Sequence, residues 1–87
     1  MINFTYTEEE NKYRVQLDNL VVFGDEDLPL HVEFRRVVDG EVGWDHELKR
    51  NHFVEWKGGD IDYNVFVYTK RGKLVFERPF NVALDGN

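Results

Sequence analysis

Apolar residues in this chain recur at every second position and hardly anywhere with a helical period. Ile61, Tyr63, Val65 and Val67 occupy odd positions, and beyond Gly72 the even positions Leu74, Phe76, Phe80 and Val82 take over. A period of two marks a strand with one buried face. Residues directly opposed across a hairpin share a face, so an odd set meets an even set only through a loop of even length. This predicts a hairpin over 60–82 closed by the four residues Thr69–Gly72, with Gly72 in the left-handed region. A two-residue loop would instead force Arg71 to positive φ. Pro79 has no N–H to give a ladder, so the second strand is expected at an edge or a bulge.

The rest of the chain follows the same rule. Ile2, Phe4 and Tyr6 predict a first strand over Met1–Thr7, and the polar run Glu8–Lys12 a turn. Tyr13, Val15 and Leu17 predict a second strand, with a bend at Asp18-Asn19 and pairing resumed over Leu20–Phe23. Gly24–Asp27 reads as a loop. Leu30, Val32 and Phe34 predict a third strand running on to Val38, and Asp39-Gly40 a turn into a fourth over Glu41–Leu48. A tight turn there sends Trp44 outward, whereas a bulged one puts it on the face of Phe34. The apolar pattern and the rarity of exposed Trp favour the inward placement. Residues 51–57 predict a fifth strand, which Gly58-Gly59 turns into the hairpin. Only 45–50 is also compatible with a single helical turn.

Seven short strands with turn signals every 8–12 residues imply one all-β domain over residues 1–87, an antiparallel sandwich. A chain of 87 residues buries roughly 60% of its unfolded surface, enough for one core. No apolar run approaches about 20 residues and no charged-then-apolar leader opens the sequence, so the expectation is a soluble, cytosolic chain or module. Oligomeric state is left open.

The net charge is −6, unevenly distributed. Residues 1–48 carry twelve acidic and four basic residues, and 49–87 carry five and seven. The overall sign opposes binding to a phosphate backbone. With neither serine nor cysteine in the chain, serine triads, cysteine nucleophiles and thiolate metal sites are excluded. Gly58-Gly59 lacks the Lys-Ser/Thr context of a phosphate loop. Asp25, Glu26 and Asp27 do not follow the spacing of a calcium loop, and His31, His46 and His52 match no zinc pattern. The expectation is a protein that is not an enzyme and needs no cofactor or metal.

A binding surface is the better expectation. Phe66 and Tyr68 fall on the outward side of the sixth strand, and Lys70, Arg71 and Lys73 form a basic tip beside them. Aromatics gathered on one sheet face anchor protein partners or stack on sugar rings. The first reading is a non-catalytic module that contacts a protein through these residues, or through its acidic first half meeting a basic partner, with charge setting on-rate and specificity more than affinity. The alternative is a carbohydrate-binding module stacking sugars on Trp44, Trp56 and Tyr68.

The run Tyr63-Asn64-Val65-Phe66-Val67 after Gly59-Asp60, with Gly72-Lys73-Leu74-Val75-Phe76 following, resembles the last two strands of immunoglobulin-like and fibronectin type III-like domains. The resemblance implies an immunoglobulin-like sandwich in which Tyr63 is structural, its hydroxyl bonding an upstream backbone group. The chain departs from immunoglobulins in lacking the inter-sheet cysteine pair, and from fibronectin type III in having no Trp on the second strand.

Overall fold

A computed structural model describes residues 2–9, 12–18, 23–50, 52–57 and 62–81, with the backbone alone at 12–13, 52–54 and 56–57. Among these residues seven strands follow in order: β1 (Asn3–Glu9), β2 (Lys12–Asp18), β3 (Leu30–Arg36), β4 (Val42–Leu48), β5 (His52–Lys57), β6 (Asp62–Tyr68) and β7 (Leu74–Asn81). They form two antiparallel sheets, β1-β2-β5 and β4-β3-β6-β7. No helix occurs among the described residues.

The alternation of the sequence becomes the inner layer. Val15 and Leu17 of β2 are buried against Leu30, Val32 and Phe34 of β3, Val65 and Val67 of β6, and Phe80 of β7. Each such side chain contributes about 1.5–3 kcal/mol relative to exposure. Phe80 is the largest fully buried side chain among the described residues. Its ring meets Tyr6 at 4.9 Å, Phe4 at 5.5 Å and Phe34 at 6.4 Å, so it joins β1 of one sheet to β3 of the other.

Both hairpins of the larger sheet solve the parity problem with a bulge. At the β6–β7 turn, the Thr69 N–H donates to the Lys73 carbonyl at 2.8 Å, which leaves a three-residue loop, Lys70 to Gly72. The expected four-residue loop is thereby corrected. An odd loop gives the wrong parity, and Val75 restores it by standing unpaired between Tyr68↔Leu74 and Val67↔Phe76. The consequence is that Leu74 leaves the core set and stands outward, 43% exposed. Gly72 has φ +89°, the left-handed conformation expected for it. The Thr69 side chain is buried, and its Oγ1 accepts from the Lys73 N–H at 3.1 Å.

The β3–β4 turn is longer than Asp39-Gly40 alone. β3 stops at Arg36 rather than Val38, and Arg36 N–H to Glu41 carbonyl (2.8 Å) closes a four-residue loop over 37–40. An even loop by itself would send Trp44 outward. Gly43, unpaired between Phe34↔Trp44 and Arg35↔Val42, shifts the register back. Trp44 thus shares the face of Phe34, with ring centroids 5.4 Å apart and nearly perpendicular.

Elsewhere β1 extends through Glu8 and Glu9, which pair with Tyr13 and Lys12, so these two glutamates belong to a ladder rather than to the expected turn. Asp45–Leu48 is strand and not a helical turn. The pairing expected over Leu20–Phe23 lies outside the described residues except for Phe23, which sits in a bend and packs against the core. The Gly58-Gly59 turn also lies outside them.

Candidate binding face

The outward side of the β4-β3-β6-β7 sheet is a grid set by register. One row runs Glu47, His31, Tyr68, Leu74 across the four strands; the next runs Asp45, Glu33, Phe66, Glu77; the third runs Val42, Arg35, Asn64, Pro79. Phe66 and Tyr68, two residues apart on β6, are half-buried and stack with their planes within 17° and centroids 6.4 Å apart. Both expected aromatics therefore stand together on the outer face, with the His31 ring 6.4 Å from Tyr68.

Beside them lies a charged relay along β3. The Glu33 carboxylate receives Arg35 Nε at 3.0 Å through one oxygen and meets His31 Nε2 at 3.2 Å through the other. Glu33 is only 14% exposed, so its charge needs this pairing. Arg35 also donates to the Gly40 carbonyl at 3.1 Å, tying the face to the β3–β4 turn. Asp45 stands 3.9 Å from His31 and is more than half exposed.

The β3–β4 turn itself is held by Asp39. Its carboxylate accepts the Glu41 N–H at 2.9 Å and Arg36 Nε at 3.2 Å. The Glu41 N–H first, and the Arg36 guanidinium second, hold the Asp39 carboxyl below the usual carboxylate range. The same pairing pushes Arg36 up. This turn carries Val38, 87% exposed, at its apex.

Lys70, Arg71 and Lys73 are all exposed at the β6–β7 turn. That turn is anchored to the acidic loop by the Lys70 N–H donating to the Asp27 carbonyl at 2.9 Å. Between tip and face lies an open cleft of about 460 Å³, lined by Pro29, His31, Glu47, Tyr68, Thr69 and Lys70 among others.

Trp44 does not join this surface. It lies on the opposite face of the same sheet, half-buried against Phe34, and its ring is 5.8 Å from that of His46. Trp56 belongs to β5 in the other sheet, and its side chain lies outside the described residues. Trp44 and Tyr68 thus cannot form one stacking platform. His31 and His46 fall on opposite faces too, and no three His, Asp or Glu among the described residues gather closely enough to hold a metal ion. Tyr63 packs its ring against Phe34 at 6.0 Å, edge to face. The segment 58–61, which a tyrosine corner would bridge, lies outside the described residues.

The residues that sequence reasoning passed over are three acids around the rings, Glu33, Glu47 and Glu77; Asp45 enters that reasoning only as a candidate metal ligand beside the histidines. Their signal is the alternation of charged with apolar residues on β3 and β4, which places them outward. Nothing local says that β3 lies beside β6. The chain matches no family model, no curated protein and no solved structure.

Proposed function

We propose that this chain is an immunoglobulin-like, non-catalytic binding module that contacts a protein partner through the outer face of its four-stranded sheet. The strand order supports the fold assignment. Immunoglobulin-type sandwiches keep strands A, B and E in one sheet and C, F and G in the other, with C′ beside C where present. The order β1-β2-β5 and β4-β3-β6-β7 reads as A-B-E and C′-C-F-G.

The observation that carries the functional reading is the parallel Phe66–Tyr68 pair on an open sheet face. Two aromatic side chains held flat beside each other supply contact area at low conformational cost, the usual anchor of a protein interface. Leu74 and Pro79 extend the apolar part of the face, and the charged residues around it supply the polar rim.

The test is capture of a partner by wild-type protein, compared with Phe66→Ser/Tyr68→Ser, with Lys70→Glu/Arg71→Glu/Lys73→Glu and with Trp44→Phe. The reading predicts that a protein retained by the wild type is lost on the face variant and kept on Trp44→Phe. Retention by the face variant together with loss on the tip variant would move the site to the basic turn. Saturable binding to oligosaccharides that disappears in Trp44→Phe would favour the sugar reading instead.

A further inference from the structure

The middle row of the outer face places Phe66 between Glu33 and Glu77, each directly opposite it on a neighbouring strand. Neighbouring strands lie about 4.8 Å apart, so the phenyl ring stands flanked by carboxylates on both sides. Asp45 and Glu47 continue the negative charge along β4. Against these four acids the face sets Arg35, which is already bound to Glu33, and His31. Of the basic tip, Lys70 lines the cleft at the end of this face with His31, Glu47 and Tyr68, and Arg71 and Lys73 are exposed at the turn.

We infer that this face receives an extended, Lys- or Arg-containing segment of a protein partner, one cation seated on the Phe66 ring between Glu33 and Glu77 and the next on the neighbouring Tyr68 ring. The inference rests on the protein-binding reading above and names its partner class. Three features carry it. The electron-rich ring faces attract a guanidinium or ammonium group. The acids on either side reinforce that attraction and disfavour an acidic segment, giving selectivity and a faster encounter. The spacing also fits: the two ring centroids are 6.4 Å apart, and alternate side chains of an extended chain repeat at about 6.4–6.8 Å. A basic residue at every second position therefore matches the rings in register.

The experiment is a two-dimensional amide NMR titration of the whole chain with the peptide acetyl-(Arg-Thr)3-amide at fixed ionic strength. It compares wild type, a face variant (Asp45→Asn/Glu47→Gln/Glu77→Gln), a remote variant of equal charge change (Glu8→Gln/Glu9→Gln/Asp25→Asn) and Phe66→Leu. The expected result is shifts concentrated on β3, β4 and β6, weakened about tenfold in the face variant and no more than about twofold in the remote one. Phe66→Leu weakens binding about threefold while leaving the charge unchanged. Retained amide dispersion in each variant shows that it folds. Equal weakening by the two charge variants, shifts centred on β1 or the 24–28 loop, or no binding at millimolar peptide would overturn the inference. If the peptide fails while Phe66→Ser/Tyr68→Ser still loses a captured partner, the binding face stands and only the basic class of partner falls.

Discussion

Gly43 is the residue on which the larger sheet turns. A Cβ built there would lie 3.0 Å from Tyr63 Cε1 and 3.5 Å from its hydroxyl oxygen. A side chain at the bulge that brings Trp44 inward must therefore push the Tyr63 ring aside. Gly43→Val should cost about 1–3 kcal/mol in urea unfolding, the usual penalty of overpacking. Much of that should return in the double variant with Tyr63→Ala, which vacates the space. A cost unchanged by Tyr63→Ala would place the strain elsewhere. Asp39 acts through charge. Its folded carboxyl titrates below the ordinary range, so its stabilisation is present above about pH 4 and is lost as pH falls through the lowered folded value. Asp39→Asn should therefore be slightly less stable than wild type at pH 7. The gap should close as the solution is acidified through the lowered folded value. The effect is small because the pair is exposed, and a gap that widens on acidification would contradict it.

At the scale of elements, the β6–β7 hairpin shows what alternation reveals and what it conceals. Val65, Val67, Phe76 and Phe80 are core residues, as their spacing implies, and Gly72 is the left-handed turn residue. Leu74 has the same parity as Phe76 yet stands outward, because the bulge at Val75 falls between them. A bulge is a choice of hydrogen-bond register, made by the loop and the partner strand together, so spacing alone does not locate it. The sequence pattern also passes over Arg78, which takes the inner position between Phe76 and Phe80. It survives there at the rim by laying its guanidinium 4.4 Å from the Phe4 ring centroid. The acids of the outer face were legible as outward residues, but their gathering around Phe66 depends on the non-local pairing of β3 with β6. Two substitutions test these elements. Thr69→Val deprives the Lys73 N–H of its side-chain acceptor and should cost about 1–2 kcal/mol, visible as faster exchange of the tip amides. Phe80→Ala empties the contact between the two sheets and should cost about 3–5 kcal/mol. A loss below about 1 kcal/mol would mean that the sheets are not joined through that ring.

At the scale of the whole molecule, strand parity sorts the aromatic residues into two populations. Phe34 and Phe80 are buried between the sheets, whereas Phe66 and Tyr68 line the open face among carboxylates. That sorting leaves one aromatic surface open to solvent, the surface proposed for a partner, and places Trp44 against Phe34. Hydroxyl-radical footprinting of the free chain at low concentration, read by mass spectrometry at each ring, tests it most directly. The account predicts that Tyr68 and Phe66 are oxidised many times faster than Phe34 and Phe80. Protection of Phe66 and Tyr68 equal to that of Phe80 would contradict it, since the face would then be covered in the free protein.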